Sequence, residues 1–216
     1  MTIFQFWSER NIGPSDCMHP ADAWILDNVD HGFDLECLPC PFGGRLRDAP
    51  VVLLYLSPGW SKEEVRKAKD PTYQTVYMRR RRGRLGLQGP DINYKSAQWW
   101  MSRTKCFGAP DKVRSKIAIL NIGAYHSKTF EGYSLLASLP SCRVSLDWAQ
   151  NVLFPQAESG TRVVVCLRSA NFWGLSPNTK YRGTLFVPQA TRSGHMTNGK
   201  ERQMIIRAAQ NAIDAG

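Results

Sequence analysis

The sequence predicts an α/β protein, a three-layer α/β/α sandwich around a central, mostly parallel, four-stranded sheet. Four short runs are apolar throughout rather than alternating, which is typical of strands buried on both faces of a parallel sheet. Segments with helical character separate them, and strands that alternate with helices favour parallel pairing. The four runs are residues 51–56, 117–121, 163–167 and 184–187.

The composition is that of a folded, basic protein. With 216 residues, 43% of them hydrophobic and only 21% charged, the chain can form one substantial core and is not a disordered polypeptide. No apolar run approaches the roughly 18 residues of a membrane span, so none is predicted. The first residues, MTIFQFWSERN, do not resemble a secretory signal, and we expect a cytoplasmic protein. The net charge of +10 favours a polyanionic partner, foremost nucleic acid, although basic proteins with other functions exist.

The six cysteines are scattered and are expected to be free thiols. Only Cys37 and Cys40 form a close pair, whereas a zinc or iron–sulfur site would require a second pair or a Cys/His pair at metal spacing. The nearby Cys17 and His19 match that spacing poorly. The sequence therefore predicts neither a metal nor a cofactor, with a metal at the close pair as the minor alternative.

Residues 1–47 are expected to form a packed N-terminal extension of a single domain that spans residues 1–216. The first 34 residues are rich in aromatic side chains and interrupted by proline and glycine, with one short helix at about 21–29. Such an aromatic cluster is more often part of a core than a base-stacking platform. Residues 38–50 contain three prolines and two glycines, which predicts a loop before the first strand.

The first strand runs through a tight Pro-Gly turn directly into a helix. Ser61 and Glu64 have the Ser-x-x-Glu spacing of a capping box, so the helix begins at once and should end near residue 70, before a proline. A loop between a strand and a helix N-terminus is where α/β proteins commonly bind ligands. An ordinary strand-to-helix connection would have the same pattern.

Residues 72–94 are the most polar part of the chain and are expected to form a solvent-facing loop. Five arginines occur within six positions: Arg79, Arg80, Arg81, Arg82 and Arg84. The guanidinium group of arginine donates paired hydrogen bonds to phosphate groups and stacks on bases, so these residues are candidates for nucleic-acid binding. A solvated insertion is the alternative. The later helices are expected at 96–106, 141–154, from about 169, and at 199–214.

Three of the four strands end in loops with polar or glycine-rich residues, at 57–60, 121–127 and 192–197. The carboxyl ends of parallel strands lie at one edge of a sheet, so the three loops are expected to surround one pocket. Each member could instead be a core, loop or surface residue. The candidate site residues are Ser57, Pro58, Gly59, Trp60, Asn121, Tyr125, His126, Arg192 and His195.

In order and spacing, these loops resemble the motifs of the uracil-DNA glycosylase-like superfamily. The segment YLSPG, residues 55–59, is similar to its first motif, a strand ending in Gly-x-(Asn/Asp)-Pro-(Gly/Tyr). The strand IAILN, ending at Asn121, is similar to a strand whose final asparagine reads a flipped base in several branches. The loop RSGHMT, residues 192–197, takes the place of a His-Pro-Ser-Pro-Leu-Ser-like loop before a helix. The resemblance covers roughly residues 48–214.

The sequence departs from this pattern at two positions. Ser57 stands where the family has a water-activating Asn or Asp, and serine is a much poorer base than a carboxylate. Arg192 stands at the final-motif histidine in a gapless alignment, with His195 three residues further on. The cysteine spacing does not match the branches that bind an iron–sulfur cluster.

The resemblance implies a DNA glycosylase that acts on a deaminated or otherwise altered base. In that role Ser57, with Pro58 and Gly59, would hold the water, and Asn121 would read the base edge. A ring such as Trp60 or Tyr125 would stack on the base, and Arg192 or His195 would hydrogen-bond the departing base. The arginine run would bind the phosphates of the DNA, single- or double-stranded. Two alternatives remain: a catalytically altered nucleic-acid-binding or interaction protein with this fold, and an enzyme acting on a free nucleotide or nucleoside. The sequence predicts no oligomeric state.

Overall fold

A mixed five-stranded sheet forms the centre of the computed structural model, which describes residues 1–88, 94–177 and 179–216. The strand order is β1-β3-β2-β4-β5, with β1 antiparallel to β3 and the other neighbours parallel. The α/β class is confirmed, but the predicted number of four strands is wrong because β1 adds an antiparallel edge. The strands are β1 (Phe42–Gly43), β2 (Val51–Tyr55), β3 (Ile117–Asn121), β4 (Val163–Cys166) and β5 (Leu185–Phe186).

Both faces of the sheet are covered, which explains why its central strands are apolar at every position. Along β2, Val52 and Leu54 belong to one hydrophobic cluster, while Val51, Leu53 and Tyr55 belong to the other. Successive side chains of a strand point to opposite faces, so an uninterrupted apolar run serves two cores at once.

Seven of the described helices divide between these two cores, and two pack around a third, smaller cluster. Buried residues of α1 (Ile3–Phe6), α2 (Pro20–Leu26), α7 (Pro140–Trp148) and α8 (Phe154–Glu158) belong to the first. Those of α5 (Lys95–Thr104), α6 (Pro110–Val113) and α9 (Lys200–Ala215) belong to the second. The helices α3 (Lys62–Ala68) and α4 (Pro71–Arg80) pack on each other around Leu38, Ala68 and Tyr77. Short 3-10 segments lie at Gly132–Leu135 and Ala170–Trp173, and a π-helical stretch at Ala149–Leu153 joins α7 to α8.

The aromatic side chains of the N-terminal segment are mostly core. Phe4 contacts Phe42 and Trp148 edge to face, with ring centroids 5.5 and 5.6 Å apart. Trp24 is different, because 79% of its surface is exposed. The N-terminal segment therefore contributes both to the first core and, through β1, to the sheet itself.

The chain around residue 70 differs from its prediction. Ser61 caps α3 by accepting a hydrogen bond from the Glu64 backbone N–H at 3.4 Å, which is one half of the predicted capping box, while the Glu64 carboxylate accepts from Lys67. Asp70 then caps a further helix, α4, whose first residue is Pro71. The predicted loop at 72–94 is wrong over this helix, because proline at the first helical position starts a helix as readily as it ends one. Residues 89–93 of that stretch lie outside the described residues.

The arginine run is the end of α4 and the turn after it, not a solvent-facing loop. Arg81 is only 4% exposed and donates from Nη2 to the carbonyl oxygens of Ile12 at 3.0 Å and Gly13 at 3.1 Å. Its guanidinium also lies over the Tyr77 ring, 4.7 Å from the centroid. Burial lowers the pKa of Arg81 from its ordinary value. Arg79, Arg82 and Arg84 are exposed, while Arg80 is half-buried.

Two further results concern the described residues. None of the helices in the ranges 1–88, 94–177 and 179–216 is both long and apolar enough to cross a membrane. Within those same ranges, no three or more His, Cys, Asp or Glu side chains cluster in a way that could hold a metal ion.

Candidate functional site

A cavity of about 530 Å³ lies at the carboxyl ends of β2 and β3. The three polar loops predicted to share one pocket all contribute to its wall. Their lining members are Ser57, Pro58, Gly59, Trp60, Asn121, His126, Ser127, Arg192 and Ser193.

The loops after β2 and β3 are held together by direct hydrogen bonds. The Nδ1 atom of His126 lies 2.7 Å from the carbonyl oxygen of Gly59, and Gly59 also pairs with Ser127 through its backbone. A carbonyl oxygen can only accept, so Nδ1 carries the proton. Beside this contact, the Gly123 backbone N–H donates to the Leu56 carbonyl oxygen at 2.8 Å. The turn that carries Ser57 is therefore fixed against the neighbouring loop.

His126 is buried, and burial lowers the pKa of its imidazole below the ordinary value. The nearby Glu64 carboxylate opposes this shift but does not outweigh it. The imidazole ring is thus neutral, and its hydrogen bond stabilises the cavity wall.

The third loop is placed by contacts from three separate parts of the chain. Tyr55 donates its hydroxyl to the Gly194 carbonyl oxygen at 3.2 Å, and Arg103 donates to the Ser193 carbonyl oxygen at 3.1 Å. Arg168 donates to the Arg192 carbonyl oxygen. Gly194 has a φ of +78°, and a Cβ there would lie 2.5 Å from Cε1 of Tyr55. Only glycine fits this close approach to the Tyr55 ring.

Asn121 is the last residue of β3 and lines the cavity. Only part of the hydrogen-bonding capacity of its side-chain amide is used. Its Nδ2 donates to the Cys40 carbonyl oxygen at 2.8 Å, and its backbone N–H donates to the Pro41 carbonyl oxygen at 2.8 Å. Oδ1 has no hydrogen bond from the part of the chain that the structure describes. The side chain is therefore oriented by one N–H and offers an acceptor oxygen for a ligand.

The neighbouring Cys40 also lines the cavity. Burial raises the pKa of its thiol to about 11. The sulfur is thus protonated at neutral pH and is not an activated nucleophile.

Two predicted site residues do not line the cavity. Tyr125 is buried in the first core, where its hydroxyl donates to the Asp22 carboxylate, so it is not placed to stack on a ligand. His195 lies beyond the lining residues Arg192 and Ser193, in a turn closed by backbone contacts with Thr191. Burial, together with the charges of Arg103 and Lys105, lowers the pKa of His195.

The electrostatic character of the cavity is strongly positive. Within the described ranges, six Lys and Arg residues line it, and they come from five different parts of the chain: Arg80, Lys95, Arg103, Lys128, Arg168 and Arg192. Among the lining residues that the structure describes, Glu64 is the one acidic residue. Of the basic set, only Arg80 and Arg192 were expected from the sequence, because the others occupy ordinary helix or loop positions until the fold brings them together.

The Glu64 carboxylate is positioned by a buried ammonium group. Lys67 is only 5% exposed, and its Nζ lies 2.8 Å from Oε1 of Glu64, 3.2 Å from Oε1 of Glu63 and 3.0 Å from Oγ of Ser96. The ammonium also lies 4.1 Å from the centroid of the Tyr94 ring. The sequence indicated Glu64 as a capping residue only. Its place on the first turn of α3, directly after the loop at 57–60, was the signal that could have assigned it to the pocket.

Aromatic rings with cations beside them complete the wall. The Lys128 ammonium lies 4.5 Å from the centroid of the Trp60 ring, and the Arg103 guanidinium lies 4.7 Å from that of Trp99. The Trp99 ring in turn contacts Tyr55 at a centroid distance of 4.8 Å. A cavity of this kind suits a ligand that combines a flat ring with negative charge.

Comparisons of the chain with protein-family models, with curated proteins and with solved structures find no match.

Proposed function

We propose that this protein is a DNA glycosylase with a uracil-DNA glycosylase-like α/β/α fold, which hydrolyses the N-glycosidic bond of a deaminated or otherwise altered base. The observation that carries the proposal is the shared cavity of Ser57, Asn121 and Arg192 at the ends of parallel strands. These are the positions at which the sequence resembles the family's motifs. A cytoplasmic location, expected from the sequence, is part of the same proposal.

The size and charge of the cavity support a nucleotide unit as the ligand. About 530 Å³ lies within the range of small-molecule sites and has room for a flipped base with its sugar. The basic lining would bind the flanking phosphates, and a ring such as Trp60 would face the base. This combination of stacking surface and positive charge is what binding of an extruded nucleotide requires.

Asn121 is the base-reading residue in this proposal. With one N–H held by the Cys40 carbonyl oxygen, its Oδ1 accepts a hydrogen bond from the edge of the base. An amide that is oriented before the ligand arrives discriminates better than a mobile one, because no ordering is needed on binding. The base that fits best therefore presents an N–H group to Oδ1.

The hydrolysis needs a water, a proton acceptor and stabilisation of the leaving base. Ser57 positions the water, and Glu64 accepts its proton as the water oxygen bonds to C1′ of the sugar. The bond from C1′ to the base nitrogen breaks, and its electron pair leaves with the base. Arg192, at the cavity rim, stabilises the negative charge that develops there. Glu64 thus replaces the side chain that the first motif lacks at Ser57.

A non-enzymatic role with the same fold is the second candidate. It is favoured by Ser57 itself, because a hydroxyl group cannot act as the carboxylate or amide of the first motif does. In that case the cavity would bind nucleic acid without cleaving it.

Activity on modified DNA separates the two candidates. The protein is incubated with oligonucleotides that carry uracil, hypoxanthine, xanthine or an alkylated base, and abasic sites are detected by alkaline strand cleavage. We expect cleavage of at least one substrate, and loss of that cleavage in Asn121→Ala. Absence of cleavage on every substrate, together with retained DNA binding, would favour the non-enzymatic candidate.

A further inference from the structure

Three aromatic rings form a continuous row at the rim of the cavity. Phe130 contacts Tyr133 edge to face at a centroid distance of 4.9 Å, and Tyr133 stacks on Phe172 at 5.5 Å with an interplanar angle of 25°. Tyr133 is 44% exposed and Phe172 is 37% exposed. We call this row, Phe130, Tyr133 and Phe172, the aromatic shelf.

The aromatic shelf leads from the inside of the cavity to the outer surface. Phe130 and Tyr133 belong to the cavity lining, whereas Phe172 lies outside it. A chain-like ligand with one unit in the cavity would therefore pass along the shelf as it leaves.

The shelf is held by anchored turns rather than by a mobile loop. Phe130 contacts Phe33 at a centroid distance of 5.8 Å, and Gly132 lies so close to Phe33 that a Cβ would come within 2.7 Å of its Cζ. On the other side, Phe172 is followed directly by the fully buried Trp173. The exposed rings are thus fixed before any ligand binds.

A basic residue lies a few positions before Phe130 in the sequence, and another lies a few positions before Phe172. Lys128 precedes Phe130 by two residues and Arg168 precedes Phe172 by four, and both basic residues line the cavity. One exposed carboxylate, Glu131, lies between Phe130 and Tyr133 in sequence. Rings flanked by cations match a single strand of nucleic acid, whose bases stack on aromatic side chains while its phosphates bind Lys and Arg.

We propose that the aromatic shelf stacks the base next to the one held in the cavity, and that the polymer bound is single-stranded DNA. This inference rests on the proposed function, because it takes the cavity as the site of the flipped base. In an intact duplex the neighbouring base is stacked and paired, so its face cannot lie on Tyr133 or Phe172. A single strand offers that face without prior unstacking.

Binding of labelled DNA tests the shelf. Dissociation constants are measured by fluorescence anisotropy for a single strand of about 12 nucleotides and for the matching duplex. We expect tighter binding of the single strand, a loss of roughly tenfold or more in Tyr133→Ala and in Phe172→Ala, and near-normal binding in Tyr133→Phe. Trp24→Ala is the matched control, because it removes an exposed ring that does not line the cavity.

The outcomes distinguish this inference from the proposed function. Single-strand binding that depends on the shelf, without cleavage of any modified base, would support the shelf and overturn the glycosylase assignment. Cleavage that persists while the shelf variants bind single strands as well as Trp24→Ala would overturn the shelf. Preferential binding of the duplex would overturn it as well.

Discussion

The imidazole of His126 donates from Nδ1 to the carbonyl oxygen of Gly59 over 2.7 Å, and this contact joins two of the three loops that surround the cavity. Tyr55 makes the corresponding connection to the third loop through the Gly194 carbonyl oxygen. The candidate site is therefore a hydrogen-bonded unit. Substitutions at residues that do not contact the ligand should alter the positions of the residues that bind it.

Protein stability should fall as the pH drops below about 6.5. Burial lowers the pKa of both His126 and His19, so the folded state keeps these rings neutral while the unfolded chain takes up protons. The contribution of the two histidines to the free energy of unfolding is complete above the pKa of histidine in the unfolded chain, about 6.5. It is lost as the pH falls towards their lower pKa values in the folded state. Urea unfolding between about pH 7.5 and 5.5 measures this slope.

Replacement of one buried histidine should flatten that pH dependence. His126→Ala is expected to lose about 1–3 kcal/mol at neutral pH, because the Gly59 carbonyl oxygen loses its donor, and to lose less on acidification. His31→Asn is the control, since it leaves both buried rings in place. An unchanged slope in His126→Ala would contradict the assignment of a neutral ring.

Gly194→Ala should damage the site and not merely the stability of the fold. Gly194 and Gly160 have nearly the same φ, +78° and +77°, so alanine is strained at both by roughly 1–2 kcal/mol. At Gly194 the new Cβ also meets the Tyr55 ring, whereas at Gly160 nothing lies within 4 Å. DNA binding and base release should fall in Gly194→Ala and persist in Gly160→Ala. Equal DNA binding and equal base release in the two variants would show that neither property depends on the position of the third loop.

Lys67→Met should be strongly destabilising. The substitution leaves the carboxylates of Glu63 and Glu64 without their buried partner, and breaking such a pair costs about 3–5 kcal/mol. Lys69→Met is a matched control, because the ion pair of Lys69 with Glu36 is exposed and should be worth less than about 1 kcal/mol. Adding Glu64→Gln to Lys67→Met should restore part of the lost free energy of unfolding. A loss in Lys67→Met no larger than that in Lys69→Met would refute the buried-pair interpretation.

Arg81→Ala should reduce stability without weakening nucleic-acid binding by the folded protein. Its guanidinium donates to the Ile12 and Gly13 carbonyl oxygens, and their loss is expected to cost about 2 kcal/mol. Arg79→Ala, at an exposed position of the same run, should leave stability within about 0.5 kcal/mol. Thermal unfolding and anisotropy titrations measure the two properties separately. A weaker DNA affinity of folded Arg81→Ala would contradict this prediction and would indicate that Arg81 takes part in nucleic-acid binding.

The parts of the fold that the sequence predicts well are those governed by local patterns. Val51–Tyr55 and Ile117–Asn121 are apolar throughout because both faces of the sheet are covered, and this pattern locates them almost to the residue. The strand Phe42–Gly43 has no such pattern, because it is two residues long and lies between prolines and glycines. It forms by pairing with β3, a partner more than seventy residues away that local composition does not reveal.

The candidate site divides in the same way. Asn121 could be assigned to the pocket because it is the last residue of a buried strand. Tyr125 could not be excluded from the pocket, since its hydroxyl is held by Asp22, 103 residues earlier in the chain. Arg103, Lys128 and Arg168 were missed because only the packing of separate elements brings their charges to one cavity.

The rate of base release by Glu64→Gln, compared with Glu63→Gln, tests the central claim most directly. Both carboxylates contact Lys67, but only Glu64 lines the cavity. Single-turnover formation of abasic sites in single-stranded DNA should fall at least about 100-fold in Glu64→Gln and change little in Glu63→Gln. Equal rates in the two variants, or no base release by the unmodified protein from any altered base, would contradict the assignment of this cavity as a glycosylase active site.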